Sequence, residues 1–132
     1  MNCHLEIKPG VRLHGLTPEM AVAAEVVRGV YEDTGLSAVC VITVGIEGQH
    51  TDTPCPSGHY RGDALDFRTH DLLGGWQSRK GTGVDSESPL GRLRSEIERR
   101  LGGHYGDYFV LLESWGTENE HIHVEHRPSK SY

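Results

Sequence analysis

The sequence has no apolar stretch near the roughly 20 residues that a membrane-spanning helix requires. Its first ten residues, MNCHLEIKPG, have no apolar core of the kind that a signal peptide carries. Lysine and arginine are scattered, with no basic run interleaved with aromatic residues, as a nucleic-acid-binding surface would show. These absences favour a protein made in the cytoplasm, with neither a membrane nor a nucleic acid as its partner.

Cysteine is also scarce, with Cys3, Cys40 and Cys55 as its three occurrences. An odd, sparse set is a poor disulfide framework, and Cys40 in its apolar run is expected to be a small buried hydrophobe. The chain has 132 residues and a formal net charge of −6. That length suits one domain over residues 1–132 with one hydrophobic core, and we expect a monomer.

Histidine, in contrast, is abundant, with nine residues, and four of them lie with carboxylates in two short stretches. The first stretch is SGHYRGDALDFR at 57–68, and the second is EHIHVEH at 120–126. Histidines grouped with carboxylates are typical of metal and acid–base sites. This clustering is the main functional signal of the sequence.

Two segments have the pattern of amphipathic helices. In 16–36, Thr17 is a good N-cap, Pro18 fits the first helical position and Gly35 is a plausible stop. In 88–103, Ser88 caps the helix, Pro89 begins it and Gly102 ends it. The apolar positions of the two helices, at helical spacing, are predicted to face the core: Met20, Ala23, Ala24, Val27 and Tyr31 in the first, and Leu90, Leu93, Ile97 and Leu101 in the second.

Strands are predicted from β-branched or alternating segments. They lie at 37–48, within 59–68, at 108–113 and at 121–125, the last two forming a hairpin. Residues 1–16 are expected to be an irregular lead-in, and the Gly/Ser-rich segment 69–88 an exposed loop. This order predicts an α+β fold in which two or three helices pack on a small antiparallel sheet.

The second histidine stretch contains an H-x-H pattern. Residues i and i+2 of a strand face the same side, so His121 and His123 point together and Ile122 points away. Upstream, His59 and Asp66 are separated by small residues that let the backbone fold close to itself. A catalytic zinc site usually has three protein ligands and a fourth position for water, so two histidines and one carboxylate are a suitable set.

The motif SGHYRGDALD (57–66) matches the S-x-H-x-x-G-x-A-x-D pattern of the LAS metallopeptidases at every specified position. This superfamily includes D-alanyl-D-alanine carboxypeptidases, murein endopeptidases, phage endolysin peptidases and the hedgehog signalling domain. The family's second signature, a strand ending in Glu followed by a turn and H-x-H, is similar to 109–125. The chain thus resembles this superfamily over roughly residues 38–126, and the resemblance implies a hedgehog/DD-peptidase-like fold.

The resemblance implies one zinc ion per chain, with His59, Asp66 and His123 as its ligands. It makes His121 an auxiliary histidine that stabilises the transition state, and Ser57 a substrate-binding residue. A carboxylate is also needed as the general base that takes a proton from the attacking water. The family thereby implies a zinc metallopeptidase that acts on peptidoglycan stem peptides or cross-bridges.

The general base has three candidates, because the segment SWGTENE separates the strand-end glutamate from H-x-H. They are Glu113, Glu118 and Glu120. If Glu113 pairs with His121, then Ser114 pairs with Glu120 and a three-residue connection remains at 116–118. Directly opposed residues share a face, so Glu113 would stand beside both histidines and Glu120 would face away. This register favours Glu113.

Several alternatives remain at this point. Endopeptidases for D-Ala-D-Ala or L-Ala-D-Glu bonds and carboxypeptidases share these motifs. The inserted turn is compatible with a non-catalytic zinc-binding module of hedgehog-like fold, for example a phage structural component. Arg61 and Arg68 can meet a substrate carboxylate or be surface charges. The small size and the absent signal favour a phage or prophage product that acts on the cell wall.

Overall fold

The computed structural model describes residues 2–46, 62–104 and 107–127. The elements in chain order are β1 (His4–Ile7), α1 (Pro18–Asp33), β2 (Val39–Val44), β3 (Ala64–Arg68), a 3₁₀ turn (Trp76–Arg79), α2 (Pro89–His104), β4 (Tyr108–Glu113) and β5 (His121–His126). The α+β class predicted from the sequence is confirmed. No helix in the described ranges is long and apolar enough to cross a membrane.

Both helices begin at the predicted capping residues. The Thr17 hydroxyl accepts a hydrogen bond from the backbone N–H of Met20, and Pro18 occupies the first turn of α1. Gly35 follows α1 with φ +64°, the left-handed conformation that favours glycine. The Ser88 hydroxyl accepts from the N–H of Gly91 at the start of α2. Gly102 does not end α2, which continues to His104.

Five strands form one sheet in the order β1-β2-β3-β5-β4. The predicted antiparallel sheet is wrong in one respect: the sheet is mixed, because β1 pairs with β2 in parallel. The segment 1–16 therefore contains an edge strand and is not wholly irregular. The strand does alternate polar His4 and Glu6 with apolar Leu5 and Ile7, but the pattern spans only four residues and all of them are exposed. Helix α1 connects β1 to β2, as a parallel pair requires.

The hydrophobic core lies between the two helices and one face of the sheet. The nine helical positions predicted from the sequence are all buried, and Cys40 is completely buried. Leu65 and Phe67 of β3 and Ile122 and Val124 of β5 belong to the same cluster. Because strand residues alternate between faces, the residues between them point to the opposite face of the sheet. That face carries the candidate site.

The segment 69–88 is more ordered than the exposed loop that we expected. Thr69 is fully buried, and Leu72 and Arg79 are less than a tenth exposed. Arg79, in the 3₁₀ turn, donates to the carbonyl oxygens of Leu72 and Thr69 at 3.0 and 3.3 Å. These bonds fix the fold of the segment itself, and the ion pair of Arg79 with Glu120 holds it against the turn after β4, which its Gly/Ser content does not indicate.

Candidate metal and catalytic site

The site is assembled by the registers of three neighbouring antiparallel strands. Asp66 of β3 pairs directly with His123 of β5, and Glu113 of β4 pairs directly with His121. Directly opposed residues have side chains on the same face. The pairing of Glu113 with His121, predicted from the sequence, is confirmed, and four candidate side chains meet on the face opposite the helices.

Two carboxylates and two imidazoles are in contact at this place. Nδ1 of His123 lies 2.9 Å from Oδ1 of Asp66 and 3.7 Å from Oε1 of Glu113. Nε2 of His121 lies 3.2 Å from Oε1 of Glu113 and 3.4 Å from Oδ2 of Asp66. The Asp66 carboxylate is nearly buried, whereas the Glu113 side chain is 44% exposed. Of the two carboxylates, Glu113 is therefore the one that solvent reaches more readily.

His121 is held in one orientation by the chain itself. Its Nδ1 is hydrogen-bonded to the carbonyl oxygen of Asn119. A carbonyl oxygen only accepts, so Nδ1 carries the proton. Nε2 is then the ring atom that faces Asp66 and Glu113, and in the neutral ring it holds the lone pair. His121 presents a metal-ligating or proton-carrying atom to the site.

His123 lies between two carboxylates. Nδ1 faces Asp66, and Nε2 lies 2.9 Å from Oε1 of Glu125. Burial opposes the charged ring, but the hydrogen bonds to Asp66 and Glu125 outweigh burial and raise the pKa of His123 to about 9. To ligate a metal, His123 must lose its Nδ1 proton. Asp66 and His123 thus offer an oxygen and a nitrogen to one position.

The donor chemistry fits a zinc ion. Asp66, Glu113 and His121 offer ligand atoms within 4.8 Å of one another, and this group can hold a metal ion. Imidazole nitrogen and carboxylate oxygen are both ordinary zinc ligands. His123 adds a second imidazole at 2.9 Å from Asp66. Of the five residues assigned to metal binding and catalysis, Glu113, His121 and His123 lie next to Asp66. The fifth, His59, lies outside the described residues, as does Ser57.

The other two glutamates predicted as possible bases occupy different environments. Glu118 is exposed in the turn. Glu120 faces away from the histidines, as the register predicted, but it is buried, with 1% exposure, and is not a solvated loop charge. Both of its oxygens are bound by Arg79, at 2.6 and 2.8 Å. The geometry leaves Glu113 as the glutamate beside His121 and His123.

The connection between β4 and β5 is longer than the predicted three-residue loop. The ladder ends at the pair of Glu113 and His121, and residues 114–120 form two successive turns. The N–H of Thr117 donates to the carbonyl of Ser114, and the N–H of Glu120 donates to the carbonyl of Thr117. The N–H of Gly116 donates to the Glu120 carboxylate at 3.0 Å, which draws the turn toward the protein body. The predicted pairs of 114 with 120 and 115 with 119 do not form.

Sequence reasoning gave no role to Glu125, which the structure places on the same face as the two histidines. Its alternation with His121 and His123 was the available signal. Arg68 also lies on this face, directly opposite His121 in register, and it pairs with Asp71 at 3.0 Å. Arg61 lies outside the described ranges.

Comparison of the chain with protein-family models, with curated proteins and with solved structures found no match in any of the three. The likeness to LAS metallopeptidases therefore rests on the two sequence motifs.

Proposed function

We propose that the chain is a zinc-dependent peptidase that hydrolyses peptide bonds of peptidoglycan, of the D-Ala-D-Ala or L-Ala-D-Glu type. The observation that carries this proposal is the convergence of Asp66, Glu113, His121 and His123 on one face of the sheet, fixed by two strand registers. Asp66 and His123, with His59 from the first motif, are the proposed zinc ligands. Ser57 is the proposed substrate-binding residue.

Held by His59, Asp66 and His123, zinc would supply an activated water, with a pKa of about 7, and a Lewis acid for the substrate carbonyl. The remaining chemistry belongs to the chain. The carboxylate of Glu113 is half-exposed and lies beside both histidines, so it can take the proton from the attacking water at Oε1. The same atom then delivers the proton to the leaving amine.

His121 is suited to stabilise the negative charge that develops on the carbonyl oxygen. Its ring is fixed through Nδ1 to the carbonyl of Asn119, so that Nε2 points into the site. Protonated at Nε2, it becomes a donor whose orientation needs no rearrangement during the reaction. Donors fixed in advance of the reaction are the most effective stabilisers of such charge.

Exposed apolar side chains next to Glu113 support a peptide substrate. Leu111 and Phe109 alternate with Glu113 along β4, so they share its face, and they are 44% and 46% exposed. A surface of this kind can accept the alanine methyl groups of a stem peptide. The resemblance and the small size also lead us to propose a phage or prophage enzyme that works on the cell wall.

A non-catalytic zinc-binding module is the second candidate, and one observation favours it. Glu113 belongs to the group of three whose ligand atoms lie within 4.8 Å of one another. If Glu113 ligates the metal together with Asp66 and His121, its carboxylate is a metal ligand and is not the base proposed for the attacking water. The ion would then hold β3, β4 and β5 together as a structural site.

The test is the digestion of purified peptidoglycan sacculi by zinc-loaded protein, followed by mass spectrometry of the released muropeptides. The substitution Glu113→Gln keeps the side-chain size and removes the base, and Glu118→Gln is the matched control at an exposed turn position. We expect new termini with the wild type and with Glu118→Gln, and none with Glu113→Gln. Bound zinc without new termini in the wild type would favour the structural module.

A further inference from the structure

Glu125 is a buried carboxylate that contacts His123 on the side away from Asp66. It is 5% exposed, and its Oε1 lies 2.9 Å from Nε2 of His123. Nδ1 of the same ring lies 2.9 Å from Asp66. The imidazole is therefore held between two carboxylates, one at each nitrogen, and its plane and direction are both defined.

We infer that Glu125 is a positioning residue that keeps Nδ1 of His123 turned toward Asp66 for metal binding. Each ring nitrogen faces a carboxylate, which as an anion only accepts hydrogen bonds, so a metal that replaces the Nδ1 proton beside Asp66 leaves the ring proton on Nε2, where Glu125 accepts it. The lone pair is then on Nδ1, the nitrogen nearest to Asp66. This inference rests on the zinc site proposed above, and it concerns how the chain prepares one ligand of that site.

Glu125 is itself held in place. The Nε of Arg127 donates to Oε2, and Nε2 of His123 contacts Oε1, so each carboxylate oxygen has a partner. The Arg127 guanidinium lies over the ring of Phe109, with 4.7 Å between its carbon and the ring centre. The N–H of Arg127 donates to the carbonyl of Asp107 at 2.7 Å. The arginine is anchored at three points.

Glu125 has a donor at each carboxylate oxygen, His123 on one side and Arg127 on the other. A carboxylate behind a histidine ligand orients its ring and raises its basicity toward a metal. Glu125, Arg127 and Phe109 thus contact one another in sequence behind His123, and they support this ligand.

A purely structural ion pair and a positioning residue have different consequences. The former would change the stability of the fold and leave the zinc affinity of the folded protein unaltered. The latter changes zinc affinity and the choice of ring nitrogen even where the protein remains fully folded. Removing a support of this kind typically weakens metal binding by about 10–100-fold.

The experiment measures zinc affinity by competition with a chromophoric chelator at pH 7, on folded protein verified by circular dichroism. The variants are Glu125→Gln, which keeps the size and loses the charge, and Glu118→Gln as the exposed control. We expect affinity to fall by about 10–100-fold for Glu125→Gln and to stay within twofold for Glu118→Gln. Long-range ¹H–¹⁵N spectra of zinc-loaded wild type should show His123 ligated through Nδ1 and protonated at Nε2.

Each result decides the inference. Zinc affinity within twofold of wild type for Glu125→Gln, or ligation of His123 through Nε2, would overturn it and leave the proposed peptidase intact. A wild type that binds no zinc would overturn both. If Glu125→Gln does not fold, Arg127→Gln replaces it, because this arginine is half-exposed and its loss frees one oxygen of Glu125. Unchanged affinity in that variant would also refute the inference.

Discussion

The buried pair of Arg79 and Glu120 should be one of the costliest polar contacts to break in this protein. The Glu120 side chain has no exposure and the Arg79 side chain is 10% exposed. Glu120 also accepts from the hydroxyl of Thr69 at 3.1 Å and from the N–H of Gly116 at 3.0 Å. The pair thus connects the 3₁₀ turn, the end of β3 and the turn between β4 and β5.

Replacing Arg79 by methionine keeps much of the side-chain volume and removes every charged donor. Glu120 would then be a buried carboxylate with two weak donors, a situation that typically costs about 3–5 kcal/mol. For a chain of this length each kcal/mol lowers Tm by about 3–5 °C, so Tm should fall by about 10–25 °C. Calorimetry and urea denaturation of the wild type and Arg79→Met measure this directly.

The double variant Arg79→Met with Glu120→Met is the control, because it removes both charges. It should recover much of the lost stability, since apolar replacement of a buried pair is often neutral. A loss below about 1 kcal/mol for Arg79→Met would refute the reasoning. The pair would then behave as a solvated surface contact, and the description of Glu120 as a buried carboxylate would be wrong.

Three further predictions concern the site. Glu113→Gln should abolish hydrolysis and leave Tm within about 2 °C of wild type, because its side chain is half-exposed, whereas Glu120→Gln should lower Tm and retain turnover. His123→Ala should lose zinc binding, measured by elemental analysis after gel filtration. With a chelator present to remove metal, the free energy of unfolding should be greatest between about pH 4.5 and 6.5. The folded-state pKa of His123, about 9, lies above its usual 6.5, so its contribution is complete below pH 6.5 and lost toward pH 9. The folded-state pKa of Glu125, about 2, lies below its usual 4.5, so its contribution is lost as pH falls from 4.5 to 2.

These predictions have clear contradicting outcomes. Normal hydrolysis by Glu113→Gln would exclude it as the base, and Glu118 and Glu120 would then be tested. Full zinc occupancy of His123→Ala would remove that residue from the ligand set. A chelated protein with the same Tm at pH 6 and pH 9 would contradict the charged contacts of His123, and His123→Ala is the control that should remove the decline.

The part of the site that the sequence predicted depends on local geometry. Alternation along one strand places His121 beside His123, and the hairpin that follows β4 sets the pairing of Glu113 with His121. Helix capping by Thr17 and Ser88 is equally local, since a cap depends on the few residues beside it. These features could be read from neighbouring residues alone.

The features that sequence reasoning missed depend on distant partners. Glu120 and Arg79 are 41 residues apart. In the sequence, each resembles an ordinary charged residue of a protein surface. Strand β1 has only four residues, and their polar–apolar alternation is too short to show that the strand pairs with β2, some 35 residues away. Its parallel pairing is set by α1, which returns the chain to the same end of the sheet.

The most direct test of the account is a crystal structure of the zinc-loaded protein with anomalous diffraction recorded at the zinc absorption edge. The account predicts one zinc peak per chain, ligated by Asp66, by Nδ1 of His123 and by His59, with Glu113 beside the metal but not bound to it. A peak ligated by Glu113 and His121, or no peak near Asp66, would contradict the assignment of Glu113 as the base of a zinc peptidase.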